Sequence, residues 1–154
     1  MPPPYSGRCL CEAVHYRLTE EPLTLYACHC TDCQRRSGSA FGLSMWVNLP
    51  AIEVTKGEVT LHQSVNAEGK LRLAKVCGQC GVRMWSEPPK YPGFAVMRPG
   101  TLDDKSWVRP VAHIWTRSAQ PWFVFPEGVA RYEKQVGDLR VLIDLWRNRP
   151  GRAS

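Results

Sequence analysis

The stretch Cys28-His29-Cys30-Thr31-Asp32-Cys33 places three cysteines within six residues. Two further groups lie on either side of it along the chain, Cys9-Leu10-Cys11 and Cys77-Gly78-Gln79-Cys80. The seven cysteines therefore suit one closed zinc site of four thiolates and a second site of three thiolates with a vacant position. A closed zinc site stabilises a fold, whereas an open one can take part in chemistry.

Local geometry explains why these spacings bind metal. In Cys-x-x-Cys a tight turn brings both sulfurs to one side, and Gly78 and Gly81 leave room for a turn that often needs positive φ. In Cys-x-Cys an extended backbone places residues i and i+2 on the same face. Cys28 and Cys30 therefore share a face, and His29 points the other way, as a packing residue rather than a ligand.

Two groupings of the seven cysteines are compatible with the spacings. In the first, the closed site consists of Cys9, Cys11, Cys77 and Cys80, and the open site consists of Cys28, Cys30 and Cys33. In the second, an ordinary zinc ribbon consists of Cys30, Cys33, Cys77 and Cys80, which leaves Cys9, Cys11 and Cys28. The compact segment 28–33 favours the first grouping, but spacing alone does not decide. A further alternative makes every cysteine structural, with the fourth ligand of the second site supplied by His29, His62 or His113.

Composition indicates one globular domain of 154 residues with a real core. No apolar run is long enough for a membrane helix or a signal peptide, so we expect a cytosolic protein without membrane contact. In a reducing compartment, clustered cysteines are typical of metal ligands rather than disulfides. The net charge is +6, but Arg147, Arg149 and Arg152 lie in the last eight residues, which favours a solvated tail over a nucleic-acid contact.

Hydrophobic periodicity predicts a mainly β chain with one short C-terminal helix. Strands are predicted over 14–18, 23–28, 41–47, 52–56, 59–63, 71–76, 82–85, 94–97, 111–116 and 122–125. A short helical turn over 31–37 ends at Gly38. The final helix has Asp138 as N-cap and Pro150 as its stop. We divide the chain into an N-terminal arm (1–8), a zinc-binding β domain (9–133) and a C-terminal helix with a basic tail (134–154).

Longer motifs around the cysteines resemble a known family. They run from Gly7 to Cys11, from Cys28 to Gly38 and from Cys77 to Gly81, with weaker support from 100–104, 113–115 and 121–122. This pattern is similar to that of the glutathione-dependent formaldehyde-activating enzymes, over about Gly7 to Glu133. Two positions depart from it: Glu12 stands where the family usually has glycine, and Val76 stands where an aromatic residue is usual.

The resemblance implies an antiparallel β-tent fold pinned by zinc, with two Zn²⁺ ions per chain. It implies the first grouping, with Cys9, Cys11, Cys77 and Cys80 as structural ligands and Cys28, Cys30 and Cys33 as ligands of the catalytic zinc. The implied activity is that of a carbon–sulfur lyase, S-hydroxymethylglutathione synthase-like, which adds a thiol such as glutathione to formaldehyde or another small aldehyde.

Two other functions compete with this enzyme. One is a non-enzymatic zinc-binding protein-interaction module of the same fold, which would need only the closed site. The other is a nucleic-acid-binding zinc ribbon, suggested by the net charge. The extra thiolate triad favours the enzyme, with a small thiol and an aldehyde as partners. Arg35 and Arg36 are the nearest positive groups to that triad, whereas Trp115, Trp122 and His113 are more typical of core packing. Oligomeric state has no signature in the sequence.

Overall fold

The computed structural model describes residues 2–152 and is mainly β. The chain forms two compact units. The first consists of the chain up to Pro22 together with Met45–Val108, and the second consists of Leu23–Ser44 together with the chain from Arg109 onward. The predicted fold class, a mainly β chain with a short C-terminal helix, is confirmed.

The first unit contains a small antiparallel sheet with strand order β1-β2-β5. Its strands are β1 (Tyr5–Arg8), β2 (His15–Leu18) and β5 (Ile52–Lys56). Tyr16 and Leu18 of β2 are buried, and Arg17 between them is exposed. This alternation is the period-two pattern of a half-buried strand, and it explains why the sequence indicated β2.

The first unit also contains a run of five neighbouring antiparallel strands. Its strands are β4 (Gly42–Asn48), β6 (Val59–Val65), β7 (Leu71–Cys77), β8 (Arg83–Ser86) and β9 (Phe94–Met97). Within this unit the order is β4-β9-β8-β7-β6. Met45, Met84 and Met97 are fully buried in the core. Strand β7 ends at Cys77, so the sheet delivers the Cys-x-x-Cys turn.

The second unit combines three short strands with two helices. Strand β10 (Ala112–Ile114) pairs in parallel with both β3 (Thr24–Cys28) and β11 (Ala130–Arg131). Helix α1 (Thr31–Ser37) follows β3 almost directly and ends at Gly38, which adopts φ 64. Helix α2 (Leu139–Arg147) begins after the N-cap Asp138 and packs on β3, where the Thr24 hydroxyl donates to the Leu142 carbonyl over 2.8 Å.

The structure differs from the sequence predictions in three places. Tyr5–Arg8, within the predicted arm, form β1 because Tyr5 is buried and the backbone pairs with β2. Strand β11 was not predicted, since two residues carry no periodicity. The predicted strand over 122–125 is absent: these residues form a turn and irregular loop. The division into arm, β domain and tail stays a prediction. Among the described residues, no helix is long and apolar enough to cross a membrane.

Candidate metal centres

The first unit brings together the sulfurs of Cys9, Cys11, Cys77 and Cys80, which we call the four-cysteine site. All four lie within 4.8 Å of one another. The Cys9–Cys11 and Cys11–Cys77 sulfur distances are both 3.7 Å. A tetrahedron with metal–sulfur bonds of about 2.3 Å has sulfur–sulfur edges of about 3.8 Å. The four side chains therefore fit a closed tetrahedral metal site.

Two tight turns orient these four sulfurs. After β1, the Cys9 amide donates to the Val14 carbonyl over 3.0 Å, and the Val14 amide donates back to the Cys9 sulfur over 3.3 Å. After β7, the Gly81 amide donates to the Cys77 carbonyl over 2.9 Å, and Gly81 adopts φ 76. Positive φ is thus needed at Gly81, whereas Gly78 does not adopt it.

Backbone donors also make one of these thiols acidic. Hydrogen bonds from the Val82 amide, and then from the Cys11 amide, lower the pKa of Cys80 to about 6. A thiolate is the form that binds metal, and donors of this kind stabilise it. The turn that positions Cys80 therefore also prepares its sulfur for binding.

The second unit brings together the sulfurs of Cys28, Cys30 and Cys33, which we call the three-cysteine site. These sulfurs also lie within 4.8 Å of one another. Cys28 ends β3, Cys30 is the N-cap of α1, and Cys33 lies in the first turn of α1. No histidine or carboxylate of the described residues joins the group. Three thiolates without a fourth protein ligand match the ligand set of an open site.

Donors near the helix start stabilise negative charge on this site. The Cys33 amide donates to the Cys30 sulfur over 3.3 Å, and the Arg36 guanidinium donates to the Cys33 sulfur over 3.4 Å. The neighbouring thiols of Cys28 and Cys30, followed by the charge of Arg36, lower the pKa of Cys33. Arg35 is exposed and makes no hydrogen bond or ion pair within residues 2–152.

His29 points away from the sulfurs, as the alternation in the sequence predicted. It is fully buried, its Nε2 lies 2.9 Å from Nδ1 of the buried His113, and its amide donates to the Ile114 carbonyl. The rings of Phe41, Phe123 and Phe125 pack around His29. Burial lowers the pKa of both histidines, that of His113 to about 4, so both are neutral at pH 7. The two histidines therefore act as packing residues next to the three-cysteine site.

These geometries bring the seven sulfurs together in the two groups of the first alternative. The model of the family described as glutathione-dependent formaldehyde-activating enzyme matches residues 4–118. The chain belongs to the glutathione-dependent formaldehyde-activating enzyme family. A Colletotrichum graminicola protein named "Putative glutathione-dependent formaldehyde-activating enzyme" is 27% identical over 146 residues, which is 88% of this chain and 75% of that protein.

A solved structure supports the fold. The crystal structure of a Rhodobacter sphaeroides protein superposes with a TM-score of 0.51 and 19% sequence identity, covering 82% of this chain and 98% of that one. At this identity the likeness concerns the fold alone.

Glu12 is the clearest departure from the glutathione-dependent formaldehyde-activating enzyme pattern, and the structure explains why glycine is usual there. It adopts φ 62, the left-handed region that side chains other than glycine rarely occupy. Its amide donates to the Cys9 carbonyl, and its carboxylate pairs with Arg8. The turn keeps its shape with glutamate present, so the Cys9–Cys11 pair stays in place.

Gln34 is a residue of this family motif whose role the sequence did not reveal. Its Nε2 donates to the carbonyls of His29 (2.8 Å) and Ser118 (2.9 Å), and its Oε1 accepts from Gln120 (2.8 Å). It thereby ties α1, which carries Cys33, to the loop that follows β10. A glutamine in a short polar helix gave no signal for this role, because Ser118 and Gln120 lie more than 80 positions away.

The two tryptophans of the weaker motifs behave differently from the prediction of core packing. Trp115 is half-buried, adopts φ 56, and donates from Nε1 to Gln135 over 3.2 Å. Trp122 is 68% exposed, so core packing was wrong for it. The loop 121–125 instead packs its partly buried phenylalanines against His29 and leaves Trp122 and Val124 exposed.

Proposed function

We propose that this protein is a zinc-dependent enzyme of the carbon–sulfur lyase type, which adds glutathione or a similar thiol to formaldehyde or another small aldehyde. One observation carries the proposal: seven sulfurs separate into one group of four and one group of three, each within 4.8 Å. Family membership supplies the class of substrate, because the family description names both glutathione and formaldehyde.

The two groups fit different metal roles. The four-cysteine site has the sulfur spacing of a closed tetrahedron, so we assign Cys9, Cys11, Cys77 and Cys80 to a structural zinc. We assign Cys28, Cys30 and Cys33 to a catalytic zinc, because three thiolates leave one position for substrate. We infer two Zn²⁺ ions per chain.

The proposed reaction needs no oxidant or reductant. The thiol sulfur forms a bond to the carbonyl carbon, the C=O π bond breaks, and the thiol proton ends on the resulting oxygen. A zinc ion with an open position would favour the thiolate over the thiol or polarise the aldehyde. Free thiols with a pKa near 8.5 are mostly protonated at neutral pH, so such help is needed.

The residues around the three-cysteine site balance its charge. A substrate thiolate beside three cysteine thiolates adds negative charge to an already anionic group. The Arg36 guanidinium on Cys33 and the Cys33 amide on Cys30 spread that charge, since both donate to sulfur. Arg35 has no partner among the described residues, so it is free to meet a carboxylate of the thiol substrate.

Aromatic rings pack on the His29 side of the three-cysteine site. His29 and His113 are buried and neutral, and the partly buried rings of Phe41, Phe123 and Phe125 pack around His29. Gln34 joins the loop after β10 to α1 through hydrogen bonds to Ser118 and Gln120. The aromatic rings of that loop therefore keep a fixed position relative to Cys33.

Small molecules are therefore the partners that we propose, in a cytosolic setting and without a role for nucleic acid. The competing function is a non-enzymatic interaction module of the same fold. The two differ in metal content, because a module of that kind requires the four-cysteine site alone.

Zinc per chain, measured after reconstitution and removal of loosely bound metal, tests the proposal first. We expect about two ions, one of them removed more easily by chelator. The second measurement is NMR exchange between glutathione and its formaldehyde adduct, with the uncatalysed rate as baseline. Two zinc ions without any acceleration would reject the substrate pair. A single zinc ion would favour the interaction module.

A further inference from the structure

Strand β6 is an exposed sheet edge. In the sheet of the first unit it pairs with β7 on one side, and no other strand of the described residues pairs with it. Every residue from Thr60 to Val65 is exposed, including Leu61 at 50% and Val65 at 65%. An edge of this kind presents unpaired backbone N–H and C=O groups, which makes it a template for another strand.

The register identifies which backbone groups face outward. Asn66 donates to Lys70 at the hairpin turn, whereas the Leu73 carbonyl accepts from Glu87 and the Cys77 amide donates to Val82, both on the β8 side. Leu73 lies opposite Gln63, and Cys77 lies opposite Val59. In antiparallel pairs, inward and outward hydrogen bonding alternates along each strand. The residues whose backbone N–H and C=O groups point to the free edge are therefore Val59, Leu61, Gln63 and Val65.

These outward positions are symmetric about His62. We propose that β6 pairs antiparallel with β6 of a second copy of this chain, with a two-fold axis at His62. In that register Val59 lies opposite Val65, Thr60 opposite Ser64, and Leu61 opposite Gln63. All eight outward donors and acceptors of one strand then meet those of the other, and the interface is the same patch on both copies, as a two-fold dimer requires.

The composition of β6 points to the same occupant. Natural edge strands are usually protected by charged side chains or proline. The small sheet follows this rule, with Arg8 on β1 and Glu53 and Lys56 on β5. Strand β6 has neither device, since Val59-Thr60-Leu61-His62-Gln63-Ser64-Val65 contains no proline and no Asp, Glu, Lys or Arg. Valine opposite valine and threonine opposite serine are favourable cross-strand pairs.

Sedimentation equilibrium of the zinc-loaded full chain tests the dimer. We expect a concentration-dependent monomer–dimer equilibrium, weakened about tenfold or more by Gln63→Pro, because proline removes an outward N–H from each copy. The β7 pairing loses no donor, since the Gln63 amide does not bond to β7. Unchanged zinc content and circular dichroism establish that this variant is folded. A wild-type chain that stays monomeric over the whole concentration range overturns the proposal.

Cross-linking tests the register itself. His62 would face its own copy in a non-hydrogen-bonded pair, where Cα atoms lie about 4.5 Å apart, within the range for a disulfide. His62→Cys should form a covalent dimer under mild oxidation. Thr60→Cys is the matched control, on the same face but about 13 Å from its copy, and it retains the native cysteines. Equal cross-linking of the two variants, or none in His62→Cys, overturns the register.

Discussion

The four-cysteine and three-cysteine sites use the same ligand atom but differ in how the chain supplies it. In the four-cysteine site, Cys11 and Cys77 are 66 positions apart, so the sulfurs meet only when two turns of the first unit are in place. In the three-cysteine site, a strand end and one helical turn bring all ligands together within six residues. A metal in the first site therefore depends on the fold, whereas a metal in the second depends mainly on a local segment.

The surroundings of the sulfurs differ in the same direction. Backbone amides of Val14 and Val82 serve the four-cysteine site. The three-cysteine site has, besides the Cys33 amide, a charged side-chain donor, Arg36, on an exposed helix face. Fixed backbone donors suit a permanent site, while a side-chain cation suits a site whose charge changes when substrate binds.

The largest effect is expected for Cys77→Ser, because it removes a buried ligand that connects distant segments. Structural zinc contributes on the order of 10 kcal/mol to folding in small zinc domains, and most domains are stable by only about 5–15 kcal/mol. We expect the variant to lose the cooperative thermal transition, measured by circular dichroism. Its matched control is Cys33→Ser, which should keep that transition. Equal loss of folding in the two variants would contradict the assignment of roles.

A selective loss of activity is expected for Cys33→Ser. The variant should bind one zinc ion less per chain and should lose acceleration of thiol–aldehyde exchange. Its thermal transition should stay close to that of the wild type, because the neighbouring Cys28 and Cys30 retain the buried packing of β3 and α1. Metal analysis and NMR exchange on the same sample provide the check. Full activity in a variant lacking the second metal would contradict the catalytic role of this site.

A smaller effect is expected for Arg36→Ala, which removes the guanidinium from the Cys33 sulfur. We expect kcat/KM for thiol–aldehyde exchange to fall about three- to tenfold, the range for one partly exposed charge-assisted hydrogen bond. Arg36→Lys should recover part of the loss, because it restores the charge. The comparison variant is Arg35→Ala, on the same helix without a contact to sulfur; because Arg35 is proposed to meet the substrate carboxylate, its loss should raise KM and leave kcat unchanged. A larger loss in Arg35→Ala would mean that substrate binding, not thiolate stabilisation, dominates.

Much of the fold could be predicted because its signals are local. The strand of Tyr16 and Leu18 alternates with period two, and the last helix carries both an N-cap at Asp138 and buried residues at helical spacing. The strand prediction over 122–125 was wrong because it also used a local signal. Phe123 and Phe125 alternate with exposed residues, as in a strand, but they pack against His29 without a partner strand. Alternation of apolar and polar residues indicates which side chains are buried. It does not indicate whether a second strand is present to pair with the backbone.

The candidate sites show the same limit. Cysteine spacing was compatible with two groupings of the seven cysteines, and the family resemblance favoured the first. Only the folded chain brings the sulfur of Cys11 to 3.7 Å from that of Cys77. The sequence named Arg36 as a positive group near the triad, but it did not distinguish Arg36 from Arg35 as the donor to Cys33, and it gave no signal for the contacts of Gln34. A side chain on a short polar helix has the same sequence signature whether it faces solvent, a distant carbonyl or a cysteine sulfur.

The smallest effect tests the turn of the four-cysteine site. At Glu12, with φ 62, a Cβ atom is strained, so the usual order of glycine and alanine should reverse. We expect Glu12→Gly to be about 1 kcal/mol more stable to denaturant than Glu12→Ala. Both substitutions remove the Arg8 ion pair, so their difference isolates the backbone. Chemical denaturation with zinc held in excess measures it. Alanine as the more stable residue would mean that the turn relaxes, and that the geometry of Cys9 and Cys11 is set by the metal rather than by the chain.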